Sequence, residues 1–183
     1  RSLEAVLMGQ EIAVGALELG DLVTFREYTY RTATFLRDLP YVQELRPAYN
    51  HVSKAFRVDK DLEQAMSWLD ELRERAERHQ DLRALGEAYY LQGDILADQG
   101  DLRSALAYEQ EALKLFAEIG DTKHESWCLG NAGWAAMMLG DLDLAESYEI
   151  NGVPERSINV LRSNIRRYPD RLELYLLLVN IYT

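Results

Sequence analysis

Residues 82–121 read LRALGEAYYLQGDILADQGDLRSALAYEQEALKLFAEIGD. In the second half Leu102, Ala105, Leu106, Ala112, Leu113 and Phe116 recur at steps of three and four, which predicts a helix with one buried stripe. Ahead of it Leu85, Tyr89 and Leu96 predict a second helix with a narrower stripe. Between them Gly100 is suited to the left-handed conformation that closes a helix, and Asp101 to capping the next one. The unit is therefore a helical hairpin. Stepping away from Gly100-Asp101-Leu102 by forty residues in each direction finds Gly20-Asp21-Leu22, Lys60-Asp61-Leu62 and Gly140-Asp141-Leu142. Ala13, Ser53, Gly93 and Gly133 keep one further column small; Ala65, Ala105 and Ala145 fill another, where the first repeat has Phe25. Small residues at fixed columns let helix backbones approach closely, with large residues such as Phe116 filling the rest. Gly120-Asp121 has the same turn chemistry, and Asp61 with Gln64 has the pattern of a capping box. At Lys60 the missing glycine predicts a turn that is strained or differently shaped.

These residues resemble the tetratricopeptide repeat family. Its spacing of a small residue, a turn glycine seven later, an alanine five beyond and another after seven more is met by Gly93, Gly100, Ala105 and Ala112. Gly133, Gly140 and Ala145 repeat it. The usual unit has about thirty-four residues; the forty-residue spacing, with EALKLFAEIGDTKHESWCLGNAGWAAMMLGDLDLAES over 111–147, is similar to a lengthened variety found in bacterial signalling and transcription regulators and some cytoskeletal adaptors. The resemblance implies an all-α fold: a right-handed superhelical solenoid of stacked antiparallel helix pairs.

Residues 1–149 are expected to hold about four such repeats, and 150–183 a further helix pair. There Gly152, Ser157, Ile158, Leu161, Ile165 and Pro169 follow the second-helix pattern of an ordinary thirty-four-residue repeat. Gly140 and Gly152 occupy one column yet lie only twelve residues apart. Three explanations fit: a missing segment near Glu149 and Ile150, a joined second polypeptide, or a truncated repeat. From Leu172 to Tyr182 almost no polar face remains, so this last helix is expected to cover itself with a further repeat, a second copy or a partner. The start at Arg1, with neither initiator Met nor basic-then-apolar leader, reads as a boundary inside a longer protein.

The chain has 183 residues, 48% hydrophobic and 28% charged, a globular balance. Its net charge of −11 argues against direct binding to nucleic acid and against an anionic membrane surface. The longest apolar run, Leu174 to Val179, is about a third of the roughly 18 residues that span a bilayer. A single cysteine, Cys128, needs no oxidising compartment, and a cytoplasmic location is expected.

No phosphate-binding glycine loop is found. His51, His79 and His124 fall in different repeats without a second ligand at metal spacing, and His124-Glu125 lacks the second histidine of a zinc helix. Cys128 near a helix start has two readings, a thiol of lowered pKa or a small core residue. No carboxylate pair singles itself out for acid–base work. The expectation is a noncatalytic chain without metal or cofactor.

In the resembled family the first helices of successive units line a concave groove for extended or helical peptides. Carried onto this sequence, the groove columns are Asn50, His51, Lys54 and Arg57; then Glu87, Tyr90, Asp94 and Asp98; then Trp127, Asn131, Trp134, Met137 and Met138. The Trp- and Met-rich floor suits apolar anchors, although Trp134 and Met137 are equally suited to packing against the next helix. Lys54 and Arg57 beside Glu87, Asp94 and Asp98 would orient a peptide if they are not simply solvated charges. Asn50 and Asn131 suggest the family's carboxylate clamp, but Glu87, Tyr90 and Leu91 stand where its pattern should continue, which disfavours a chaperone-tail adaptor. Three functions follow: a scaffold binding a protein or peptide in the groove; a sensory or regulatory segment of a larger signalling or transcription-regulating protein; or a self-assembly scaffold associating through the apolar C-terminal helix.

Overall fold

A computed structural model describes residues 3–141 together with 144, 145, 147 and 148. The helix pair expected over 150–183, with its apolar last helix, lies outside the described residues. The described chain is all-α: α1 (Leu3–Glu18), α2 (Leu22–Leu36), α3 (Arg46–Val58), α4 (Leu62–His79), α5 (Leu82–Gln99), α6 (Leu102–Glu118) and α7 (Thr122–Met138), with one 3-10 turn, Gln43–Leu45. Residues 144, 145, 147 and 148 are helical as well. Two compact units divide within α5, at Ile95–Leu96.

One local device makes the hairpins. A residue with positive φ stands at Gly20 (75°), Lys60 (65°), Gln80 (54°), Gly100 (85°), Gly120 (68°) and Gly140 (82°), a twenty-residue step broken only near Pro40. An aspartate follows each of them. Its backbone N–H reaches back to the helix just ended: Asp21 to the Ala16 carbonyl at 2.8 Å, Asp61 to Phe56 at 2.9 Å, Asp121 to Phe116 at 2.9 Å. Its side chain meanwhile accepts the N–H three residues on, as Asp21 does from Thr24 (3.1 Å), Asp81 from Ala84 (3.0 Å) and Asp121 from His124 (3.2 Å). Each aspartate thus closes one helix in a Schellman motif and caps the next.

Lys60 corrects half of its expectation. Its turn has the shape of the glycine turns, with Lys60 donating to the Arg57 carbonyl (3.1 Å) and Asp61 to Phe56; only the cost of a side chain in the left-handed region distinguishes it, about 1–2 kcal/mol. Gln64 donates its N–H to Asp61 at 3.1 Å, but no reciprocal bond to the Asp61 N–H forms, because that N–H already serves the Phe56 carbonyl.

In the first unit Phe25, Leu36, Leu45, Tyr49, Leu69 and Leu72 are fully buried. The small column there, Ala13, Ser53 and Gly93, is buried too. Near Pro40 the chain lacks the capped turn, and polar contacts hold it instead. Arg75 donates to the Leu39 and Arg37 carbonyls, each at 2.8 Å, and the Tyr41 hydroxyl donates to Asp81 at 2.8 Å. In the second unit Phe116, Ala112, Cys128 and Ala132 are buried. A Cβ on Gly133 would stand 3.4 Å from the Tyr148 Cβ, so its column is small because another side chain comes close.

Replacing Asp121 by Ala removes a cap and should lower unfolding stability by about 1–2 kcal/mol. Gly100→Ala should cost about 1 kcal/mol, whereas Lys60→Gly should be neutral or stabilising by up to about 1 kcal/mol. Urea unfolding of the three variants checks the opposite signs.

Candidate functional site

The first unit places its groove columns on α3 and α5, where most are tied to one another. The Asn50 amide donates to Glu87 Oε2 at 2.6 Å, and Arg46 Nε lies 3.1 Å from the same oxygen. Arg57 pairs with Asp94 at 2.8 Å, both side chains about a quarter exposed. The charges expected to give the groove a direction are here largely neutralised pairwise across helices. Tyr90 is half-buried on α5. Lys54 is exposed, and no described carboxylate pairs with it.

His51 lies on the inner side of these columns. Burial pushes its imidazole below the ordinary 6.5, and the Lys54 ammonium adds to the effect. Its ring meets Phe25 edge-on at 6.5 Å. His51 Nδ1, Gln10 Oε1 and Thr29 Oγ1, all buried without a hydrogen-bond partner, border one small void with Ala13, Ala48 and Val52.

The second unit holds Asp98, half-buried at the end of α5, and the α7 residues. Trp127 is half-buried, with the Lys123 ammonium 4.8 Å from its ring centroid and His124 edge-on at 4.8 Å. His124 in turn stacks on Phe116 at 4.7 Å and meets Asp121 through Nδ1 at 2.8 Å. The Asn131 amide donates to Glu109, a buried carboxylate on α6, at 2.9 Å. Trp134 and Met138 are partly buried and pack on a cluster of Ala136, Met137 and Ala145. Met137, open between groove and core on sequence, is only 7% exposed and belongs to that core. The reason is the helical step: Met137 lies four residues after Gly133, on the side where Leu144, Ala145 and Tyr148 come close, and Leu144 and Ala145 pack against its cluster. Cys128 is fully buried, in keeping with its reading as a core residue. Among the described residues no group of three or more His, Cys, Asp or Glu is placed to hold a metal ion.

A set of tyrosine–carboxylate contacts escaped the sequence. Tyr30 donates to Asp59 at 2.5 Å, and Tyr49 to Glu71 at 3.1 Å, besides Tyr41 to Asp81. Burial, reinforced by Asp59, pushes the Tyr30 phenol up to about 12; Tyr41 and Tyr49 are raised further for the same reason, with Asp81 and Glu71 beside them. Glu71 also receives Arg37 at 2.7 Å and Arg75 at 2.8 Å, and the Arg37 guanidinium lies 4.0 Å from the centroid of Trp68. The partners stand 22 to 40 residues apart, so no local pattern marks them. The forty-residue alignment of Tyr41 with Asp81 was the one usable signal.

Because folded His51 resists protonation, the unfolded chain binds an extra proton as pH falls below about 6.5, and folding stability drops there. The urea midpoint should fall between about pH 7.5 and 5.5, and the fall should be smaller in His51→Gln; equal slopes would count against the buried neutral imidazole.

Residues 85–149 match the family model for the tetratricopeptide repeat. No curated relative matches the chain. Among solved structures, the apo form of RapI aligns with a TM-score of 0.79 over 93% of this chain, at 12% identity. BtubC (BKLC) from P. vanneervenii aligns at 0.72 over 89%, with 16% identity, and aspartyl phosphate phosphatase F from Bacillus subtilis at 0.70 over 88%, with 15% identity. At these identities the likeness is one of fold. The chain spans less than two thirds of each of them: 65%, 65% and 41% of their lengths. Among the described residues no helix is long and apolar enough to cross a membrane. The tetratricopeptide repeat is thus matched over residues 85–149, and the described residues before them share the all-α fold of these structures.

Proposed function

We propose that this chain is a noncatalytic interaction scaffold that binds a protein partner, as a peptide or helix, on the exposed face of its first helices. The observation that carries the reading is the state of the groove columns. They are occupied by half-exposed polar and aromatic side chains already held by bonds between helices: Asn50 by Glu87, Arg57 by Asp94, Asn131 by Glu109. Side chains ordered in advance lose little conformational freedom when a ligand arrives, which favours binding. Each unit carries its own share of contacts. In the first, Lys54 offers an exposed cation and Tyr90 and Asp94 stand on the neighbouring helix. In the second, Trp127 with Lys123 above it, Asn131, Trp134 and Asp98 are the candidates, and Met137 supports them from the core. Half-buried Trp is the residue type on which binding energy concentrates.

Peptides selected on this protein from a displayed random library supply the probe. Lys54→Glu and Trp127→Ala should each weaken the selected peptides by about tenfold, with the thermal midpoint of Lys54→Glu unchanged. Unaltered affinities in both variants would place the binding face elsewhere.

A further inference from the structure

His51 stands where α1, α2 and α3 meet, and its two ring nitrogens have different surroundings. Nδ1 is buried and borders the small void that Gln10 Oε1 from α1 and Thr29 Oγ1 from α2 also border, and none of these three atoms has a hydrogen-bond partner. Thr29 is only 2% exposed, so its hydroxyl is cut off from bulk solvent. Nε2 is neither sealed from solvent nor bonded to a described residue, so it lies on the open side of the ring. Lys54, three residues further along α3, shares that face. It is exposed, pairs with no described carboxylate, and its charge is felt at the imidazole.

The buried side of the ring calls for a hydrogen. Gln10 Oε1 only accepts, and an imidazole Nδ1 without a hydrogen only accepts too. A hydrogen on Nδ1 gives Gln10 Oε1 its donor, and the basic lone pair of the ring is then Nε2, on the open side beside Lys54. A further proton at Nε2 makes an imidazolium, which burial and the Lys54 ammonium both oppose. Among the described residues nothing that faces the ring offsets them. Gln10 on α1 and Phe25, Thr29 and Thr32 on α2 are uncharged, and Glu11 on α1 is exposed. On α5 the carboxylates of Glu87 and Asp94 are taken by Asn50, Arg46 and Arg57. The missing element is one negative charge shared by Nε2 and the Lys54 ammonium.

A carboxylate fits that place, because its two oxygens accept from two donors at once. We infer, on the reading that this face binds a peptide, that His51 and Lys54 form a subsite for an Asp or Glu of that peptide, and that the carboxylate enters together with one proton from solvent. The proton adds at Nε2. Nε2–H and the Lys54 ammonium each donate to the carboxylate, while Nδ1–H donates inward to Gln10 Oε1. Gln10 is a positioning residue: it holds the tautomer from behind the ring without touching the ligand. Without ligand the imidazole stays neutral near pH 7, and with ligand the imidazolium is favoured. Binding therefore takes up a proton and strengthens as pH falls, while Asp and Glu stay ionised down to about pH 4–5.

Peptides without histidine, selected on the whole chain from a displayed library at about pH 6.0, supply the probe, and fluorescence anisotropy is read at about pH 6.0 and about pH 7.5. The selected peptides should carry an Asp or Glu and bind about fivefold more tightly at the lower pH. Changing that residue to Asn or Gln should remove the gain, as should His51→Gln in the protein. Lys54→Gln should weaken binding at both pH values. Gln10→Leu, which keeps the imidazole, should shrink the gain and leave binding at the higher pH in place, a change in pH profile that a merely structural role would not produce. Peptides weakened by Lys54→Glu yet bound equally at both pH values would keep the groove and overturn the coupled proton. A gain that survives His51→Gln, or that the amide peptide retains, would overturn it too. Selected peptides without a carboxylate, or ones that need Trp127 and not Lys54, would overturn the subsite alone. Peptides indifferent to both Lys54 and Trp127 would overturn the groove and the subsite with it.

Discussion

Among the described residues, every connection between successive helices except α2–α3 turns on one shared residue. An aspartate directly after a left-handed residue donates its backbone N–H to the finished helix and accepts, through its side chain, an N–H of the helix that begins. Helix ends otherwise leave backbone groups without partners, and here one residue serves two ends at once. The linker shrinks to about two residues, the helices must run antiparallel, and the apolar stripes are brought face to face. Recurrence every twenty residues then turns a local hydrogen-bonding solution into an array.

The one place without that device shows what it contributes. Between α2 and α3, Pro40 stands where the left-handed residue would be, and the connection is longer and includes a 3-10 turn. Its carbonyls are taken by Arg75 from α4, and Tyr41 is held by Asp81. Tertiary contacts from distant helices replace what a single aspartate does elsewhere. The same Arg75 meets Glu71, which also takes Arg37 and Tyr49, so the link is secured by a partly buried polar network in which each long side chain has several partners.

The fold class was legible because helix periodicity, turn chemistry and the forty-residue step all agree. Gly100, Gly120 and Gly140 announce their turns, and Asp101 and Asp121 their caps. Gln80 did not announce its own: a non-glycine left-handed residue is invisible until Asp81 is seen to cap α5. Lys60 was visible as an exception, yet the bonds from Asp61 impose the standard shape on it. The site was less legible. Column arithmetic put Asn50, Arg57, Asp94 and Asn131 on the first helices, but their neutralisation by bonds across helices depends on side chains 22 to 37 residues away. Met137 went to the core because Leu144 and Ala145 pack against its cluster.

Sequence alone determined what is local and periodic. It set the helix pairs, their caps, the small columns, and the acidic balance of −11. These follow from backbone hydrogen bonding and a repeat of hydrophobicity, which a short window already contains. Tertiary structure alone decided which charges remain available, since Arg57 and Asp94 meet only when α3 packs beside α5. It also decided which copies of a repeated apolar column are covered. Ile12 and Val52 occupy the same column, yet one is 40% exposed and the other buried, because a helix stands in front of α3 and none of the described helices stands in front of that face of α1.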